Sequence, residues 1–404
     1  MELAPEKAGF DPGRLDRITG HLKRNYMDPG KVAGCQTLVA RHGHVAHFST
    51  LGYADKARAA PLREDAIFRI YSMTKPITSV ALMSLYEQGF FQLNDPVSRY
   101  LPSWKDQKVF ISGDADNPEL EAPAQPMTFR HVLSHTGGLT YGATNHPVDR
   151  LFRREGVNRD RNETLATFID RLGRVPLRYQ PGTAWMYSVS TDVCGALVEA
   201  ISGKPFDEYL REVIFEPLGM KDTSFWVRPE KRDRFTANYQ RNPDRSLKLI
   251  DDPQGESTYY TPPSFFSGGG GLTSTTADYL RFCEMLRRGG ELDGARILGS
   301  RTLAMMHKNH LPGGGDLAGL AIGTFSETAY EGTGFGLGFA TTLGEVQAGS
   351  LGAGDYYWGG AASTIFWVDP VEDLVCIFMT QLMPSSTFNF RGQLKSIIYS
   401  AIVD

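Results

Sequence analysis

Gly34-Cys35-Gln36-Thr37-Leu38-Val39-Ala40-Arg41 and His44-Val45-Ala46-His47-Phe48-Ser49-Thr50-Leu51 flank the dipeptide His42-Gly43. Both runs are β-rich, and glycine at a two-residue turn tolerates positive φ, so the stretch reads as a β-hairpin. A second hairpin is expected near the other end, where Ser363 to Val368 and Leu374 to Thr380 are separated by Asp369-Pro370-Val371-Glu372-Asp373. A sheet that draws on both ends of the chain is the expected result. From about Phe388 onward, Leu394, Ile397, Ile398, Ala401 and Ile402 fall at helical spacing, which predicts a terminal amphipathic helix covering that sheet.

Between the hairpins the pattern changes. Ile77, Val80, Ala81 and Leu85 form a helical stripe that stops at Gly89, and Thr128 is placed to cap a short helix carrying Val132 and Leu133. Val193, Leu197, Ala200 and Ile201 form a stripe ending at Ser202-Gly203; Tyr279, Phe282, Cys283 and Leu286 form another, starting after Thr276 and ending at Gly289. The stretches 105 to 126, 228 to 264 and 311 to 334 are rich in Pro, Gly, Asn and Asp without periodicity and read as loops. No internal repeat or low-complexity tract interrupts them.

The chain has 404 residues, 41% hydrophobic and 22% charged, which is ordinary globular usage for two or three compact units. Lys plus Arg is 42 against 46 for Asp plus Glu, a net charge of −4 with no run of either sign, so nothing builds a surface for nucleic acid. No stretch approaches the roughly 18 apolar residues that span a bilayer. The opening Met1-Glu2-Leu3-Ala4-Pro5-Glu6 lacks the basic and apolar regions of an export signal, so a cytoplasmic location is expected. Cys35, Cys194, Cys283 and Cys376 lie far apart in apolar patterns and read as buried free thiols.

The chemistry is concentrated in Arg69-Ile70-Tyr71-Ser72-Met73-Thr74-Lys75-Pro76. Proline has no N–H and fits a helix only in its first turn, which puts the helix start near Met73 and Ser72 at its N-terminal mouth. Three residues apart on a helix means one face, so the Lys75 amine can reach the Ser72 hydroxyl, and the helix dipole favours negative charge developing there. A serine needs such a base to become nucleophilic. A serine-x-x-lysine pair arises by chance on the order of once in a chain this long, but this is the only one present, and it opens a well-marked helix.

Two further segments narrow the possibilities. Gln180-Pro181-Gly182-Thr183-Ala184-Trp185-Met186-Tyr187-Ser188-Val189-Ser190 is a turn and then a helix start, with the Tyr187 phenol at its tip. Tyr356-Tyr357-Trp358-Gly359-Gly360-Ala361 precedes the strand 363 to 368, with glycines where a substrate can approach backbone. Taken singly, the first is an ordinary packed tyrosine and the second an ordinary turn. In this order and at these separations, Ser72-x-x-Lys75, Tyr187-x-Val189 and Trp358-Gly359-Gly360 resemble the three active-site motifs of the serine β-lactamase and penicillin-binding-protein superfamily. The nearest resemblance is to the family VIII carboxylesterases, which are similar to class C β-lactamases. Leu133-Ser134-His135-Thr136-Gly137-Gly138-Leu139 and Gly269-Gly270-Gly271-Leu272-x-Ser274-Thr275 agree with it, and the match runs from about residue 8 to 400.

The resemblance implies an α/β (α+β) fold: a mostly antiparallel sheet flanked by helices, from about 1–95 and 267–404, with a mainly helical second domain over 96–266 and the site in the cleft between. It implies that Ser72 forms an acyl-enzyme, that Lys75 and Tyr187 share the proton transfers, and that the backbone N–H groups of Ser72 and Ala361 form the oxyanion hole. Which of Lys75 and Tyr187 acts first stays open, because a close pair titrates as a unit.

Two departures bear on substrate. Class C enzymes carry asparagine at the position of Val189 and Lys-Thr-Gly at that of Trp358-Gly359-Gly360. The missing lysine removes a cation suited to a β-lactam carboxylate, and the Trp358 indole offers an apolar face for an uncharged ester. With Trp358, Gly359, Gly360 and Val189 lining the substrate, short-chain carboxylic esters are the expected small-molecule substrates and β-lactam turnover is expected to be weak or absent. An amidase, an acyltransferase or a β-lactamase or D-alanyl peptidase of the same fold are the alternatives, and a non-catalytic binding module is disfavoured by the intact Ser72, Lys75 and Tyr187. No cofactor, metal, nucleic acid or membrane partner is implied. His42, His44 and His47 fall on a hairpin, His307 and His310 lack a third ligand, and His135 belongs to a structural turn. The G-x-S-x-G elbow of the α/β-hydrolases is absent.

Overall fold

The computed structural model describes residues 2–158, 160–323 and 330–404. Its centre is an eight-stranded antiparallel sheet. The strands are β1 (Gly34–Arg41), β2 (His44–Asp55), β3 (Ala60–Pro61), β4 (Thr333–Phe335), β5 (Ala340–Thr342), β6 (Tyr356–Gly359), β7 (Ile365–Asp369) and β8 (Leu374–Thr380), in the order β4-β5-β6-β7-β8-β1-β2-β3. Both expected hairpins are present. At His42-Gly43 both residues have positive φ, 55° and 76°, the backbone a tight two-residue hairpin turn needs. The two halves of the sheet join at β1 and β8, where Cys35 stands opposite Thr380 and Leu38 opposite Ile377.

Every residue of β1 and β8 is buried, because layers cover both faces. On one side lies the terminal helix Phe390–Tyr399, whose Phe390 ring is 4.7 Å from that of Phe378 on β8. On the other, the helix Thr276–Arg287 sets Tyr279 5.2 Å from Phe366 on β7. Alternation along the strands sends Phe378 and Phe366 to opposite faces, and this fixes the register.

Five helices pack around the chemistry-bearing segments: α1 (Thr74–Glu87), α2 (Phe129–Leu133), α3 (Ser190–Ser202), α4 (Thr276–Arg287) and α5 (Phe390–Tyr399). Helix α1 differs from the single stripe expected of it, since Thr74 through Leu85 are all buried. Two of its hydroxyls are satisfied by backbone carbonyls: Thr78 donates to Thr74 and Gly268, and Ser84 to Ala81. Thr128 caps α2 as expected, in a capping box completed by His131, and Gly203 ends α3 in the left-handed region. All four cysteines are buried and free.

The three stretches read as loops carry regular structure. Val109–Gly113 pairs with Pro118–Glu121, and Asn238–Arg241 with Leu247–Asp251; the region 311–334 holds the short helix Leu317–Leu320 and strand β4, its residues 324–329 lying outside the described set. The first hairpin is mostly exposed and the second half-covered, so neither needs the alternating apolar pattern that marks a buried strand. Among the described residues no helix is long and apolar enough to cross a membrane.

Candidate active site

Ser72 lies in a 3-10 turn, Tyr71–Met73, that runs directly into α1. Tyr71 has φ +41°, a conformation that costs a bulky residue about 1–3 kcal/mol and persists only when its surroundings impose it. They do so here through the Asn238–Asp251 hairpin. Asn238 Nδ2 donates to the Tyr71 hydroxyl at 2.9 Å. The fully buried Arg69 grips both oxygens of Asp251, at 2.9 and 2.8 Å, and stacks on Phe235 with its guanidinium carbon 3.8 Å from the ring centroid.

One helical turn on, Lys75 folds back over this segment. Its Nζ donates to Ser72 Oγ at 3.1 Å and to the carbonyl oxygen of Gly269 at 2.6 Å. Ser72 is 8% exposed and Lys75 1%, so the serine keeps a small opening to solvent while the amine behind it is sealed. The expected serine–lysine contact is therefore made. The Gly269 carbonyl is a third member that sequence spacing does not reveal. The strip Gly268–Gly269 passes so close to α3 that a Cβ on Gly268 would lie 2.6 Å from the Thr191 carbonyl oxygen, which is why glycine stands there.

Tyr187 precedes α3 and packs its ring over the amine, with Lys75 Nζ 4.5 Å from the centroid. It is buried rather than poised at an open loop tip. The Trp358 indole N–H donates to the Tyr187 hydroxyl oxygen at 3.2 Å. Trp358 and Val189 are each only 1% exposed, which corrects the expectation that the indole presents an open apolar wall: both faces of β6 are covered, and the indole packs against Phe335 and Tyr187. Tyr141, which no sequence motif singles out, joins this group. Its ring stands edge-on to Tyr187 at 5.4 Å and 5.9 Å from Lys75 Nζ, two positions past the Leu133–Leu139 stretch.

His135 is sealed beside this cluster. Burial first, and the charge of Lys75 second, hold its imidazole well below the ordinary histidine range, so it is neutral. Nδ1 faces Ser188 Oγ at 3.3 Å and Nε2 faces Thr191 Oγ1 at 3.4 Å, so the ring braces the Tyr187–Thr191 segment. His42 pairs with Asp373, His307 stacks on Tyr356, and His310 contacts Arg130, all away from Ser72.

The end of β6 meets the Ser72 turn backbone to backbone. A Cβ on Gly360 would lie 2.4 Å from the Ile70 carbonyl oxygen, so only glycine admits this approach. Gly360 N–H donates to Thr364 O at 2.7 Å and Ser363 N–H to Gly360 O at 2.9 Å, a tight turn that carries Ala361. On the α5 side of the same strand lies a cavity of about 600 Å³, lined by Tyr357, Gly359, Gly360, Phe388 and Arg391 and not by Ser72.

A buried lysine on a serine at a helix mouth, framed by tyrosines and backed by an antiparallel sheet, defines a serine hydrolase of β-lactamase fold. The family model described as Beta-lactamase matches residues 21–396, and the chain belongs to that family. Protein Rv1367c of Mycobacterium tuberculosis is 33% identical over 89% of this chain and 88% of its own length. Esterase EstB of Burkholderia gladioli is 31% identical over 91% of this chain and 89% of its own. Among solved structures, EstCE1, described as a hydrolase with promiscuous acyltransferase activity, superposes with a TM-score of 0.79 at 26% identity, covering 96% of this chain and 99% of that one.

Proposed function

We propose that the protein is a carboxylesterase that hydrolyses short-chain esters through an acyl-enzyme on Ser72. The observation that carries this is the 3.1 Å contact between the sealed Lys75 amine and the hydroxyl of Ser72. Ser72 Oγ bonds to the ester carbonyl carbon while its proton passes to the Lys75–Tyr187 pair. Negative charge moves to the carbonyl oxygen, where the N–H groups of Ser72 and Ala361 receive it. Collapse breaks the bond to the alcohol oxygen, which leaves with the proton. Water then repeats the sequence on the acyl-enzyme, releasing the acid and restoring Ser72.

Ester rather than β-lactam chemistry is favoured by what replaces the polar groups: Val189 is aliphatic, and Trp358 spends its one N–H on Tyr187. The name of EstB supports an ester substrate. The description of EstCE1 supports transfer to an alcohol as a second outcome of the same acyl-enzyme. A division into 1–95 with 267–404 and 96–266, and a cytoplasmic location, belong to the same proposal.

A panel of p-nitrophenyl esters from acetate to decanoate, run beside one chromogenic cephalosporin, tests the substrate class. Short acyl chains should give kcat/KM values about 100-fold or more above the cephalosporin; the reverse order would overturn the ester assignment. Tyr187→Phe keeps the ring over Lys75 and removes the proton. Turnover of the best ester should drop by about 100-fold, the scale of a lost acid–base group. A near-normal rate would take Tyr187 out of the proton path.

A further inference from the structure

Asp192 is fully buried in the first turn of α3, five residues beyond Tyr187. Its Oδ1 accepts from the Ser267 hydroxyl at 2.6 Å and from the Gly269 N–H at 3.0 Å. Its Oδ2 has no hydrogen-bond partner among the described residues and lies 2.7 Å from where a Cβ on Gly269 would stand. The carbonyl of that same glycine holds Lys75 Nζ. A buried carboxylate with an oxygen to spare is expensive unless a nearby positive charge offsets it. The sealed amine, which carries that charge whenever it is protonated, lies two hydrogen bonds away through Gly269.

We propose that Asp192 is a positioning residue for Lys75. By tying the Ser267–Gly269 strip to α3 it aims the Gly269 carbonyl at the amine, and its negative charge raises the proton affinity of that amine. This rests on the esterase proposal and goes beyond it: Asp192 touches neither Ser72 nor substrate and acts through a backbone carbonyl. Titratable groups stand near the amine and on the flanking helices α3 and α4. Tyr187 and Tyr141 present their rings, and His135 is kept neutral by burial and by Lys75 itself. On α3, burial and then Asp192 push the Cys194 thiol up. From α4, burial pushes the Tyr279 phenol well above its usual range while its hydroxyl donates to the Met73 carbonyl.

Asp192→Asn keeps the shape and an acceptor oxygen and removes the charge. With less negative potential at the amine, the ammonium is less favoured and loses its proton at lower pH. The acid limb of the kcat/KM profile should therefore move down by about one pH unit, the scale of a nearby buried charge. Turnover at the optimum should fall about tenfold, with KM little changed. Ser267→Ala removes one tether and leaves the charge, so kcat should drop severalfold with the acid limb in place. If Asp192→Asn folds and its acid limb stays put, the electrostatic role is wrong. If kcat of Ser267→Ala is unchanged, the tether does not position the lysine, and this arm holds even where Asp192→Asn does not fold. Ser72→Ala, assayed alongside, separates the two levels: activity in that variant sinks the esterase proposal itself, whereas an inactive Ser72→Ala with unmoved Asp192→Asn and Ser267→Ala sinks only the role of Asp192.

Discussion

Ser72→Ala should reduce ester hydrolysis by about 10⁴-fold or more, the scale seen when a catalytic nucleophile is removed from an intact site. The substitution deletes one oxygen from a nearly buried position, and the Lys75 amine keeps its 2.6 Å bond to Gly269, so the fold should be undisturbed. Intact-mass spectrometry gives the complementary result. An alkyl phosphonate should add once to the parent protein, at Ser72, and not at all to the variant. Robust ester cleavage by Ser72→Ala would require a different nucleophile.

Lys75→Met should come next in size, with kcat/KM lower by about 10³-fold, within the range for loss of a positioned base. Methionine matches the length and flexibility of the lysine stem, so core volume is kept. The variant leaves the Gly269 carbonyl without its donor in a sealed environment. That costs about 1–3 kcal/mol and should lower the melting temperature by a few degrees. Phosphonate labelling of Ser72 should slow in parallel with ester turnover. If labelling slows but the ester rate does not, Lys75 assists only the inhibitor reaction and the proton path runs elsewhere.

Much of this architecture is legible in the amino-acid sequence. The two hairpins announce themselves because both strands of each are buried or half-buried and are punctuated by Gly43 and by Asp369-Pro370. Pro76 locates the mouth of α1 because a residue without an N–H is tolerated only there. What is not legible has two physical origins. The Val109–Glu121 and Asn238–Asp251 hairpins keep much of their surface in water, so they lack a strong buried apolar face to mark them, yet the second holds the Tyr71 hydroxyl. The other origin is long-range backbone chemistry. The Gly269 carbonyl meets Lys75 across 194 positions and the Asp192 carboxylate meets Gly269 across 77, and a carbonyl has no residue type to betray it. Trp358 shows the same limit from the other side: its identity suggests a substrate wall, whereas both faces of β6 are covered and the indole packs against Tyr187.

The seam between β1 and β8 sets the order of events during synthesis. Thr380 Oγ1 donates to the carbonyl of Gly34 across 346 positions, so two fully buried neighbouring strands are contributed by segments far apart along the chain. A nascent chain emerging at about 5–20 residues per second holds β1 unpaired on that side for tens of seconds, with half of its ladder open to whatever it meets. The sheet cannot close until β8 has followed β1 out of the ribosome, and pairing at such sequence separation is the kind that slows folding.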